Sequence, residues 1–335
     1  MIVTVAPGAD AAQVQRALTT KGLWVRPLRE SAPGAGPVQF LIEPHSVALR
    51  REELLGIAGV AAVSAPASDH PLVDAQPPVV EIAGVRIGVG APPVFMGGPC
   101  SVESPDQIDR LAAQLPAMGV RFLRGGAFKP RTSPYSFQGQ GEAALRWLRE
   151  AADRSGLLVV TELMGAEDAA LVAEHADLVQ IGSRNMANYS LLRTIARTRR
   201  PVLLKRGMAA TVDEWLSAGE YCLLHGAAAV LFCERGIRGF DPSTRNLLDL
   251  SAVALLSHVH KQPVLCDPSH AVGRRDLIPP LSRAALAAGA SGLLIETHDA
   301  PGQALSDGPQ ALLPAQLAEL LHSCGARPLK GHGAL

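Results

Sequence analysis

The chain is poor in aromatic residues, which make up 4% of its 335 positions against 47% hydrophobic residues in all. Ala, Val and Leu must therefore build the core, and the length is enough to bury a large one. Net charge is missing too. Lys+Arg and Asp+Glu are both 31, which argues against a nucleic-acid or anionic-membrane binder, so any cationic site has to be local. No apolar run reaches the roughly 18 residues that a membrane span needs. The start, "MIVTVAPGAD", has neither the basic nor the apolar region of a signal peptide. The five cysteines (Cys100, Cys222, Cys233, Cys266 and Cys324) are odd in number and form no CxxC. That speaks against a disulfide framework and for a cytoplasmic protein with reduced thiols.

What is present divides into two patterns. Residues 1–65 read as strand, helix, strand, strand, helix, strand, the βαββαβ order of a ferredoxin-like domain. The expected role is packing, dimerisation or small-ligand regulation. Residues 66–78, rich in Pro, read as a linker, and "VVEIAGVRIGVG" as a hairpin about Gly84. From about residue 93 short apolar runs alternate with amphipathic helical stretches eight times: "VFMGG", "RFLRG", "LLVVTEL", "LVQIGS", "PVLLKR", "AVLFCE", "PVLCDP" and "GLLIET". Thr211 with Glu214, and Ser104 with Gln107, are capping-box pairs at two helix starts. Eight such units predict a (β/α)₈ TIM barrel over residues 79–325, hairpin included, with a tail at 326–335 and the functional face at the strands' C-terminal ends. An open doubly wound sheet is the alternative, but no GxGxxG follows the first strand.

The strand ends carry the chemistry. Cys100 follows the first run, His270 the seventh, and Glu296 ends the eighth, whose long loop holds Asp307. In a closed barrel these three strands are neighbours. Singly, a Cys is usually a small buried hydrophobe and a His a hydrogen-bonded structural residue. Together, at one side of the mouth, they suit one divalent ion such as Mn²⁺, Fe²⁺, Co²⁺ or Zn²⁺. Asp267 and His298 compete for the ligand positions. The other side is cationic, with Arg124, Lys129, Arg184, Lys205, Arg206 and Arg235 at the ends of the middle strands. Such clustering fits two anionic substrates or one with several charges. The stretch "FLRGGAFKPRTSPYSFQGQG" holds Arg124, Lys129 and Arg131 but no acid. The partners of its charges are therefore expected to come from outside the chain.

The motifs "GPCSVES", "LRGGAFKPRTSPYSFQGQG", "QIGSRN", "PVLLKRG", "CERGIR", "TRNLLDLSAV", "DPSHAVGRRDL" and "ALSDG" resemble those of 3-deoxy-D-arabino-heptulosonate 7-phosphate (DAHP) synthases, type Iβ, over about residues 79–320. The first 65 residues resemble the ACT-like domain fused to some members. The resemblance implies condensation of phosphoenolpyruvate with erythrose 4-phosphate, the first step of the shikimate pathway towards the aromatic amino acids. It implies Cys100, His270, Glu296 and Asp307 as metal ligands. Arg124, Lys129, Arg184, Lys205 and Arg235 would bind phosphoenolpyruvate, with Lys129 also a proton donor. Arg131 and Thr132 would bind the sugar phosphate, and Asp267 would lie beside metal and sugar. It further implies a homotetramer and feedback by tyrosine or phenylalanine. Ser183 stands where the family often has Ala, and Gly239 where Thr is common. The alternatives are a Kdo8P synthase-like enzyme acting on arabinose 5-phosphate and a non-catalytic barrel that senses phosphorylated metabolites. Against the first, the loop reads "KPRTS", and Pro130 keeps Lys129 out of the helical region.

Overall fold

The alternation of apolar runs with amphipathic stretches becomes strands and helices in a computed structural model that describes residues 1–29, 37–64, 68–129 and 135–329. Two compact units result, Met1–Pro71 and Leu72–Leu335. The first contains β1 (Ile2–Val5), α1 (Ala11–Thr20), β2 (Val25–Arg29), β3 (Gln39–Ile42), α2 (Arg51–Leu55) and β4 (Val60–Ser64). Its sheet runs β2-β3-β1-β4 and every pair is antiparallel. Asp10 starts α1 by accepting from the N–H groups of Ala12 and Gln13, satisfying donors that a helix leaves open. Val14 and Leu18 of α1 join Val3, Val5 and Phe40 of the sheet in one buried cluster.

The segment expected as a linker does more than connect. Pro71–Ala75 form a short helix, α3, whose Val73 is fully buried. The Glu220 carboxylate accepts from the N–H groups of Leu72 and Val73. Gln76 is buried behind it. Its amide donates to the carbonyl of Val230 at 2.9 Å and accepts from the Val230 N–H at 2.8 Å. The flanking prolines hide this role in the sequence, since they read as a loop whatever the side chain between them does. β5 (Val79–Ile82) and β6 (Val85–Gly88) follow as the expected antiparallel hairpin.

The barrel itself is built from β7 (Val94–Gly98), α4 (Pro105–Ala112), β8 (Phe122–Arg124), α5 (Glu142–Arg154), β9 (Leu158–Leu163), α6 (Ala169–His175), β10 (Leu178–Ile181), α7 (Tyr189–Ala196), β11 (Val202–Lys205), α8 (Val212–Leu224), β12 (Val230–Glu234), α9 (Leu250–Ala254), β13 (Val264–Cys266), α10 (Pro268–Val272), α11 (Ile278–Ala287), β14 (Gly292–Glu296) and α12 (Pro314–Ser323). The eight strands close into a parallel barrel in sequence order, β14 pairing with β7. The expected TIM-type architecture is thus present. Alternate residues separate two cores. Val94, Met96, Phe122, Leu203, Leu231 and Leu265 point inward and pack with Val80, Ile82 and Ile87 of the hairpin. The hairpin thereby closes the end of the barrel where the strands begin. Phe95, Leu123, Val159 and Phe232 face the helices. The capping box of Thr211 and Glu214 is complete. That of Ser104 is half made: its hydroxyl accepts from Gln107, but the Gln107 side chain accepts from the Glu103 N–H instead.

Replacing Gln76 should leave the Val230 N–H and C=O buried without partners. Gln76→Ala is expected to lower the stability of the barrel by about 2 kcal/mol, measured as a shifted urea midpoint at unchanged slope.

Candidate active site at the barrel mouth

The C-terminal ends of the strands bring one thiol, one imidazole and several carboxylates to one side of the mouth. Cys100 lies two residues past β7, in a segment bridged to the loop after β8 through Ser101 and Gly126. Asp267 caps α10 by accepting from the His270 N–H at 3.0 Å, and a second oxygen accepts from His270 Nδ1 at 2.7 Å. This fixes the ring and leaves Nε2 directed at Glu296 Oε1, 3.1 Å away. Glu296 ends β14, held through its N–H by Ser269 Oγ and through its carboxylate by Gln310. The Cys100 thiol donates to Asp307 Oδ2 at 3.1 Å. One donor atom from each of Cys100, His270, Glu296 and Asp307 lies within 4.8 Å of the others. Sulfur, nitrogen and two carboxylates, with the other imidazole nitrogen engaged by a carboxylate, fit a borderline divalent ion. The two competitors stand elsewhere. Asp267 orients His270, and His298 faces Gln107 and the N–H of Ala300.

Electrostatics prepare the group unevenly. Burial raises a carboxyl, but the neighbouring His270 and Arg124 hold Glu296 down to about 2. Burial opposes ionisation of Asp267 as well, and His270 and Lys205 keep it well below the usual range. Burial and the charge on Glu296 push the Cys100 thiol up to about 11, against Lys129 and Arg124. Cys100 must therefore lose a proton to serve as a thiolate ligand.

Two cations of the stretch from β8 onward, Arg124 and Lys129, find partners within the chain, contrary to the expectation for that stretch. Those partners come from other strands and loops. Arg124 reaches Glu296 at 2.7 Å and Lys205 reaches Asp267 at 2.5 Å. Lys129 donates to the Cys100 carbonyl and to Sγ, the latter at 3.0 Å. Its ammonium passes so close to Gly126 that a Cβ there would lie 2.7 Å from Nζ. The loop base is fixed by the Phe128–Gly139 bridge and by the bond from Lys129 N–H to Gln138 at 2.9 Å. Arg131 and Thr132 lie outside the described residues.

Among the described cations of the mouth, Arg235 has a buried guanidinium nitrogen, Nη1, without a hydrogen-bond partner in the protein. Burial pulls its guanidinium below the ordinary value, while Asp267 partly offsets this. It lines a cleft of about 120 Å³ with Cys100, Arg124, Lys129, Arg184, Lys205 and His270. Arg206, grouped with these from its place in the sequence, is turned away. It pairs with Glu234 at 3.2 Å and Asp249 at 2.8 Å and lies over the Trp215 ring. Neighbours in a strand face opposite sides, so Lys205 points into the mouth and Arg206 towards the helices. Three polar side chains of the cleft escaped the sequence reading: Glu162, Gln180 and Arg245. Glu162, the penultimate residue of β9, was legible by nearly the same strand-end rule. Arg245 sits in a long loop, and its approach to Asp307, 3.9 Å, and to Gln310, 3.2 Å, is a tertiary event.

The profile of the DAHP synthetase I family matches residues 67–326. The chain belongs to that family. It is 51% identical over 234 residues to a phospho-2-dehydro-3-deoxyheptonate aldolase of Thermotoga maritima, covering 70% of this chain and 69% of that one. A 2-dehydro-3-deoxyphosphooctonate aldolase of Alkalilimnicola ehrlichii is 31% identical over 264 residues, 73% of this chain and 94% of that one. The crystal structure of the DAHP synthase of Thermotoga maritima superposes with a TM-score of 0.75 at 39% identity, covering 97% of this chain and 96% of that one. A truncated form of the synthase from the same organism gives 0.69 at 44% identity over 75% and 92%.

Within the family site, Arg206 supports the wall rather than the mouth. Burial raises the Glu234 carboxyl, and Arg206 and the Gly236 N–H oppose the rise. Arg206→Leu should strand Glu234 in the wall and cost about 3 kcal/mol, read from a guanidinium denaturation curve.

Proposed function

We infer that the chain condenses phosphoenolpyruvate with erythrose 4-phosphate to give DAHP and inorganic phosphate, as a DAHP synthase. The observation that carries this reading is the meeting of two unlike walls in one cleft. One offers Cys100, His270, Glu296 and Asp307. The other offers cations, with the Lys129 ammonium 3.0 Å from Cys100 Sγ between them. Identity of 51% to the heptonate relative, against 31% to the octonate relative, favours the four-carbon sugar over arabinose 5-phosphate.

The reaction joins C3 of the enol to the aldehyde carbon, adds water at C2, and breaks the bond from C2 to the phosphate oxygen. The residues divide the work. Arg124, Arg184, Lys205 and Arg235 bind the phosphate and carboxylate of phosphoenolpyruvate. Arg235 brings a buried guanidinium that the protein leaves short of an acceptor, so an entering anion regains a lost bond. Lys129 donates a proton to the aldehyde oxygen as the carbon–carbon bond forms, and the added water gives one up. Arg131 and Thr132 bind the sugar phosphate. Cys100, His270, Glu296 and Asp307 hold one divalent metal ion, which when bound supplies Lewis acidity towards the aldehyde. Mn, Fe, Co and Zn all suit this donor set. The enzyme acts in the cytoplasm as a homotetramer. Tyrosine or phenylalanine regulates it through residues 1–65.

Purified protein supplied with phosphoenolpyruvate and erythrose 4-phosphate should consume the enol's ultraviolet absorbance, stop on addition of EDTA, and resume with Mn²⁺ or Co²⁺. Turnover indifferent to chelation would remove the metal, and a preference for arabinose 5-phosphate would remove the sugar assignment. Cys100→Ala is expected to lose bound metal and activity together. Lys129→Met should cut kcat by ~10²–10⁴-fold, the usual worth of a positioned acid, while metal content stays unchanged. Deletion of residues 1–70 should abolish inhibition by either aromatic amino acid and spare catalysis. Inhibition that survives the deletion rules out a regulatory role for that unit.

A further inference from the structure

Asp307 is held in a conformation it would not choose. Its φ is +50°, in the left-handed region that side chains enter at a cost, Asp more readily than most. Strain of this kind persists only where flanking contacts impose it. Here they do so on both sides. Ser306 Oγ lies 2.5 Å from Ser101 Oγ, and both serines are buried. The Leu305 N–H donates to Glu103 Oε1 at 2.8 Å. Beyond Asp307, the Gly308 carbonyl accepts from Arg275 Nη2 at 3.1 Å. The loop after β14 is thus fastened to residues 101–103 on one side and to the loop after α10 on the other.

The two serines have a particular place in this arrangement. Each is one peptide away from a member of the candidate ligand set, Ser101 from Cys100 and Ser306 from Asp307. Neither lines the cleft. Ser101 is the fixed end: it bridges to Gly126 and its carbonyl accepts from Gln107 at 3.3 Å. Ser306 belongs to a loop with no strand or long helix of its own between Glu296 and Pro314. We propose that Ser101 and Ser306 are positioning residues, whose hydroxyl pair clamps the Asp307 loop to Cys100 so that thiol and carboxylate enter the metal site already 3.1 Å apart. The proposal rests on the ligand reading above. A loop ordered in advance spares the ion the cost of ordering it, which is how partners behind the ligands raise affinity. A hydroxyl pair also sets distance and direction, which an apolar contact at the same place would not.

The test uses Co²⁺ as probe and the full chain, with the thiolate-to-cobalt charge-transfer band as readout, so that no turnover is needed. The parent protein is expected to show the band. Ser101→Ala and Ser306→Ala keep every ligand, so the band should persist while Co²⁺ affinity falls ~10-fold or more. The double variant should lose no more than either single one, because both changes delete the same bond. Ser306→Thr, which keeps the hydroxyl, should restore affinity. Unchanged affinity in the alanine variants, independent losses that multiply in the double variant, or a Thr variant as weak as Ala would each overturn the clamp while leaving the ligand set intact. A parent without the band removes the ligand set and the clamp with it. Thermal unfolding without metal identifies a variant that fails to fold, and the other serine then carries the test.

Discussion

A charge taken out of water is tolerable only against an opposite one, and this constraint organises the mouth of the barrel. Glu296, Asp267, Arg124 and Lys205 are each at most 5% exposed. None has an opposite charge on its own strand; each finds one on another. Arg124 ends β8 and Glu296 ends β14, with β7 between them. The pair can meet because β7 ends in Gly97 and Gly98, and at Gly98 an added Cβ would collide with the backbone of Arg124. Closure of the sheet therefore does more than bury apolar residues: it supplies each of these four buried ions with its counter-ion. The same pairing prepares the chemistry, since Arg124 and His270 keep Glu296 anionic down to about 2. The acids in turn hold the cations at the positions an anionic substrate would meet.

This explains why the fold and much of the site were legible in the sequence. Eight apolar runs specify eight strands, and a barrel puts whatever follows each run at one face. Cys100, His270, Glu296, Arg124 and Lys205 could be collected by that rule alone. The rule fails where the side of the strand matters. Lys205 and Arg206 are adjacent and equally basic, yet one meets Asp267 in the mouth and the other meets Glu234 and Asp249 behind the wall. Counting inward positions from the apolar residues before them, Leu203 inward and Leu204 outward, would have told them apart. It fails differently for Gln76 and Arg245. Both lie in segments without periodicity, and their partners, Val230 and Asp307, are remote in sequence. No local pattern encodes such a meeting.

Lys129 shows how a long loop can carry a precisely placed group. The segment after β8 leaves and returns at one point, because the Gly141 N–H donates to the Ala127 carbonyl at 3.0 Å and the Lys129 N–H to that of Gln138 at 2.9 Å. The lysine sits at this closed base rather than at the tip. Its ammonium is anchored on Cys100, across the space left by Gly126. A proton donor must be rigid to act on a reacting oxygen, and a lysine held at such a base meets that demand for the acid role proposed above.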